Sequence, residues 1–93
     1  HTIAHLGQWM RPRRVGTPWT LWGSRSLIRR EAKGHVLILS PWNYPFNLSL
    51  SPFIAAVAAG NTVIMRPSDK VRRTSAFIRS IVTESFPEEE AAV

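Results

Sequence analysis

Ninety-three residues limit the chain to one small domain at most, which would bury roughly 60–65% of its unfolded surface. The absence of cysteine excludes a disulfide framework, a thiolate metal site and a thiol nucleophile. Twelve Lys and Arg against six Asp and Glu admit nucleic acid as a partner class, but the excess (Arg11, Arg13, Arg14, Arg25, Arg29, Arg30 and Lys33 against Glu31) comes with no nucleic-acid motif and no interleaved aromatics, so a solvated surface and no nucleic-acid partner are expected.

In chain order, Ile3, Leu6 and Met10 stand at helical spacing with Trp9 beside them, which predicts the last turns of a helix over 1–10, ended by Arg11-Pro12. Pro18 to Trp22 and Ser26 to Glu31 are short aromatic or aliphatic runs joined by Gly23-Ser24-Arg25. That link predicts a β-hairpin. The composition shifts at Lys33-Gly34, dividing the chain into 1–33 and 34–93. Val36 to Leu39 is a continuous apolar run, expected of a parallel strand covered on both faces. Leu48, Leu50, Phe53, Ile54 and Val57, with several alanines, predict a helix that is apolar almost all round and therefore buried. Either Ser51 caps it with Pro52 opening its body, or Pro52 interrupts a longer helix starting near Phe46.

Gly60-Asn61 closes that helix. Thr62 to Met65 is a second β-rich run, and Phe77, Ile78, Ile81, Val82 and Phe86 form one face of a second helix. Strand, helix, strand, helix is the spacing of an α/β unit with parallel pairing. Ala91-Ala92-Val93 reads as the opening of another strand, and the chain starts on His1, so a piece of a longer protein is expected. The histidines His1, His5 and His35 lack companions that would complete a metal site, and none is expected. Glu88-Glu89-Glu90 is a solvated turn. No apolar run approaches the about 18 residues of a membrane helix and no leader opens the chain, so no membrane association and a cytoplasmic location are expected.

One segment carries chemistry. In Ser40-Pro41-Trp42-Asn43-Tyr44-Pro45, each proline fixes its own φ and restricts its predecessor, so the residues between them form a stiff turn after the first apolar run. Such a turn can hold the Asn43 amide at a fixed spot above a strand end. An Asx-turn with its own backbone is the competing use of that side chain.

This string, with Ala58-Ala59-Gly60-Asn61 and Arg66-Pro67-Ser68 at their distances from it, resembles the aldehyde dehydrogenase superfamily over nearly the whole chain. Trp9-Met10-Arg11-Pro12, Gly34 and the Ser40 to Phe46 run look nearest to the class that oxidises medium-chain and aromatic aldehydes. The resemblance implies an incomplete Rossmann-like parallel βαβα unit of the NAD(P)-binding domain over 34–93. Residues 1–33 would be a helix end and hairpin of the region through which subunits associate as a homodimer or higher homo-oligomer. It also implies oxidation of an aldehyde to a carboxylic acid through a cysteine thiohemiacetal. That cysteine lies outside this chain, so the chain alone is expected to be inactive.

Residue by residue, Asn43 matches the family's oxyanion-hole asparagine. Leu39, Ser40, Pro41 and Trp42 match positions along the cofactor, and Tyr44 matches a slot near the aldehyde. Trp42 and Tyr44 also fit simple packing roles. Arg66, Ser68 and Asp69 stand where the family has K-P-S-E, whose lysine and glutamate bond the adenosine ribose. Arginine for lysine and the shorter aspartate for glutamate lean toward tolerance of NADP beside NAD. Arg66 as a strand-end cap, and Ser68 and Asp69 as helix-start residues, are the structural alternatives. A second reading of the whole chain is a non-catalytic basic binding module or a decayed remnant.

Overall fold

A computed structural model describes all of His1–Val93, as two compact units, His1–Glu31 and Ala32–Val93. In the first, α1 (Thr2–Trp9) buries none of its residues. His1, His5 and Trp9 recur every four residues, so their rings line one side of the helix, with centroids 4.4 Å apart for His1–His5 and 5.8 Å for His5–Trp9. The Arg30 guanidinium donates to the Trp9 carbonyl at 3.2 Å, placing a cation on the negative end of the helix.

The hairpin exists, but its first strand is not the predicted one. β1 (Arg13–Val15) pairs antiparallel with β2 (Ser26–Ile28), Arg14 opposite Leu27. Trp19–Leu21, expected in a strand, forms a 3₁₀ turn capped by Pro18, with Leu21 N–H donating to Pro18 O at 2.9 Å. Pro18 (φ −55°) is preset for a turn, and its lack of an N–H suits a position outside a ladder. A two-stranded ribbon with exposed faces needs no apolar alternation, which is why Arg13-Arg14-Val15 serves as a strand without displaying the usual pattern.

In the second unit, β3 (His35–Leu39), α2 (Pro45–Ala58), β4 (Thr62–Arg66), a 3₁₀ turn at Asp69–Val71, α3 (Arg72–Ser85) and β5 (Ala91–Ala92) build a parallel sheet of order β3-β4-β5. This is the incomplete Rossmann-like α/β unit. β3 and β4 pair with Val36 opposite Val63 and Ile38 opposite Met65, and Val63 also faces Ala91. Those residues form one core with Phe53 of α2 and Ile78 and Val82 of α3. Phe53 meets Phe86 edge to face, with centroids 5.3 Å apart.

Both helices therefore cover the same face of the sheet. The other face is bare, with Leu37 63% and Leu39 68% exposed. Coverage of β3 on both faces, expected from its unbroken apolar run, does not occur within these residues. Nor is α2 buried all round, because Phe46, Leu48 and Ile54 point outward. α2 is the longer of the two helices foreseen, with Pro45 in its first turn and Pro52 inside it.

Its C-terminus has the bonding of a Schellman cap. Gly60 takes φ +81°, its N–H donates to Val57 O at 2.8 Å, and Asn61 N–H donates to Ala56 O at 3.1 Å. The Asn61 side chain then reaches back across 28 residues. Its Oδ1 accepts from Lys33 N at 2.7 Å and Gly34 N at 3.1 Å, while Nδ2 donates to Ala56 O at 3.0 Å. One amide thus ties the end of α2 to the entry of β3. Asn61→Ala should cost about 1–2 kcal/mol in urea unfolding. Asn61→Asp, which keeps the acceptor, should recover most of it. Equal loss in both variants would place the stabilising bond at Ala56 instead.

Candidate functional site

Parallel pairing places the carboxyl ends of β3 and β4 side by side, the usual place for a ligand in an open α/β sheet. Leu39 lies opposite Arg66, and Ser40 N–H continues the ladder to Arg66 O at 3.1 Å. These two strand ends and the loops that leave them carry every site residue expected from the sequence: Leu39 closes β3 and is followed by Ser40, Pro41, Trp42, Asn43 and Tyr44, while Arg66 closes β4 and is followed by Ser68 and Asp69.

Between the prolines the chain makes a sharp reversal. Tyr44 has φ 46° and ψ 50°, the one non-glycine residue with positive φ. For a residue with a Cβ this left-handed conformation costs roughly 1–2 kcal/mol. Tyr44 serves as N-cap of α2 through its backbone alone: its carbonyl accepts from Leu48 N–H at 3.0 Å and no side chain caps the helix. Pro45 follows at the position where a missing N–H costs least. The helix start is thereby set directly after Asn43, which is exposed. Tyr44 is 74% exposed within this chain.

Ser40 differs from its neighbours. It is 8% exposed and its Oγ has no hydrogen-bond partner, so its hydroxyl faces the packed side of the sheet while its N–H serves the ladder.

On the second loop, Arg66 Nη2 approaches Asp69 Oδ2 at 3.4 Å, with both side chains well exposed. An exposed pair of this kind contributes at most about 1 kcal/mol, so both groups are easily redirected to a ligand. Ser68 shapes the loop: its Oγ accepts from Lys70 N–H at 3.3 Å, and its carbonyl accepts from Ser75 Oγ at 2.9 Å. Lys70, which sequence reasoning overlooked, places its Nζ 5.9 Å from the centroid of the Trp42 ring. This contact joins the two loops. Its only trace in the sequence is a lysine a few residues past a strand end, which is far too common to single out.

No group of three or more His, Asp or Glu is placed to hold a metal ion, and no helix is long and apolar enough to cross a membrane.

Comparison with known proteins gives a consistent result. The profile described as "Aldehyde dehydrogenase family" matches residues 2–92. The chain is 41% identical over 81 residues to 4,4'-diaponeurosporen-aldehyde dehydrogenase of Staphylococcus aureus, covering 87% of this chain and 18% of that protein. It is 35% identical over 96 residues to the probable coniferyl aldehyde dehydrogenase of Caulobacter vibrioides, covering 100% of this chain and 20% of the relative. The solved structure described as the substrate-bound state of Staphylococcus aureus AldH superposes with a TM-score of 0.93 at 37% identity, over 99% of this chain and 20% of that one. The chain thus spans about a fifth of the length of the relatives it matches.

Proposed function

The chain belongs to the aldehyde dehydrogenase family, and from that premise we propose that it is the amino-proximal part of a cytoplasmic, homo-oligomeric subunit that oxidises an aldehyde to a carboxylic acid with NAD or NADP. Residues 1–33 belong to its association region and 34–93 to its cofactor domain. What supports the reading is the meeting of two loops at neighbouring parallel strand ends, one carrying Asn43 on a strained turn and the other an exposed Arg66–Asp69 pair.

In this reading a cysteine thiolate from elsewhere in the subunit attacks the aldehyde carbon, and the carbonyl oxygen gains negative charge. Asn43 Nδ2 donates to that oxygen. The turn fixes the backbone that carries this amide, which lowers the reorganisation needed at the moment of reaction. Tyr44, at the same reversal, borders the aldehyde.

The dinucleotide fits the second loop, whose Arg66 guanidinium and Asp69 carboxylate face solvent with complementary donors and acceptors for ribose hydroxyls. When bound, the cofactor accepts the hydride. Leu39, Ser40, Pro41 and Trp42 form the floor along which it lies, with Ser40 meeting it through its backbone. The balance is one aldehyde, one oxidised cofactor and one water giving one carboxylic acid, one reduced cofactor and one proton.

The subunit should reduce NAD or NADP in proportion to the medium-chain or aromatic aldehyde it consumes. The 93-residue chain by itself, having no thiolate, should produce none. Steady NADH formation by the purified chain would overturn the assignment of covalent catalysis to a cysteine elsewhere. A subunit that binds cofactor yet oxidises no aldehyde would overturn the reading itself.

A further inference from the structure

The turn that carries Asn43 is pinned at both ends and adjustable only in its middle. Ser40 N–H is tied to Arg66 O at 3.1 Å, and Tyr44, left-handed at φ 46°, starts α2 with its carbonyl. Pro41 and Pro45 fix their own φ. The freedom that remains lies in the backbone of Trp42 and Asn43, so a restraint on the Trp42 ring acts directly on the orientation of the amide that follows it.

Lys70 supplies such a restraint. Its Nζ lies 5.9 Å from the centroid of the Trp42 ring, and Trp42 is 59% exposed, so packing does little to hold it. The lysine springs from a braced base. Its 3₁₀ turn, Asp69–Val71, is capped by Ser68, whose Oγ accepts from Lys70 N–H at 3.3 Å and whose carbonyl accepts from Val71 N–H at 3.3 Å and from Ser75 Oγ at 2.9 Å. The adjacent carboxylate, Asp69, lies against Arg66 at 3.4 Å, which leaves the ammonium to the indole. A cation over an indole face is attracted by the ring quadrupole, and the attraction grows as water is excluded.

We propose that Lys70 is a positioning residue for the aldehyde oxidation: its ammonium, held against the Trp42 ring, orients the turn so that the Asn43 amide meets the oxygen that gains charge. The proposal rests on the dehydrogenase reading above and deepens it. In this role Lys70 touches neither substrate nor cofactor and acts through Trp42. Closing the site around its ligands expels water from the pair, so the restraint is strongest when alignment decides the rate.

The test uses the subunit that carries this chain. Lys70→Met, which keeps an unbranched apolar stem and removes the charge, should lower pre-steady-state hydride transfer by about 3- to 10-fold, with a smaller change in the cofactor dissociation constant. Lys70→Arg, whose guanidinium also stacks on an indole, should restore most of the rate. On a Trp42→Leu background, Lys70→Met should have no further effect, because the ring it acts through is gone. A readout independent of activity is the fluorine resonance of Trp42 in fluorotryptophan-labelled subunit, which should move in Lys70→Met and return toward its wild-type position in Lys70→Arg. An unmoved resonance, a Lys70→Met effect that persists undiminished without the Trp42 ring, or a cofactor affinity that falls more than the rate would overturn the positioning role while leaving the dehydrogenase reading intact. A wild-type subunit that oxidises no aldehyde would overturn the reading and the proposal with it, even where the resonance moves.

Discussion

Asn43→Ala should slow the acylation step of the subunit by roughly 10²–10³-fold while cofactor dissociation constants stay within about twofold. The reason lies in timing. A neutral carbonyl oxygen gains little from the amide, whereas an oxyanion gains a charge-assisted hydrogen bond, so the loss falls on the transition state. Arg66→Ala should do the opposite, weakening cofactor binding and sparing the hydride-transfer rate. Both variants need pre-steady-state hydride transfer and direct binding measurements, because cofactor release could limit turnover and hide the difference. If Asn43→Ala loses cofactor and Arg66→Ala loses rate, the turn grips the dinucleotide and the roles assigned to the two loops are reversed.

Phe53→Ala should cost about 3–5 kcal/mol, a large share of the roughly 5–14 kcal/mol expected for a domain of this size. Phe53 is 4% exposed, lies against the Phe86 ring, and joins α2 to the strand residues and to Ile78 and Val82 of α3. Truncation therefore leaves a cavity where three elements meet. Ile54, its neighbour on the same helix, is 51% exposed, and Ile54→Ala should cost no more than about 1 kcal/mol because far less surface returns to water. Urea unfolding of the two variants of this chain separates them. Comparable costs would mean that α2 packs through a different face.

The bare side of the sheet and the outward face of α2 show how far pattern reading carries. The unbroken run Val36 to Leu39 and the apolar length of α2 announce elements built to be covered all round. Within these 93 residues both helices lie on one face, so Leu37, Leu39, Phe46, Leu48 and Ile54 remain exposed. Hydrophobic pattern states what a segment is suited to. Which faces are met depends on the elements available to meet them.

By itself the sequence determined the succession strand, turn, helix, strand, helix, the proline-braced turn around Asn43 and the Gly60-Asn61 helix stop. Each of these rests on dihedral limits or periodicity that act within a few residues. It also carried the family resemblance, which lies in short strings at set distances. Only the tertiary structure decided that Arg13–Val15 rather than Pro18–Trp22 is the first hairpin strand, that Tyr44 sits in the left-handed region, and that Asn61 clips Lys33 and Gly34. The placing of Lys70 against Trp42 belongs to the same group. Most of these depend on strand register and helix packing between segments well separated along the chain, where a shift of one residue would turn each side chain to the other face, and no local preference encodes that choice.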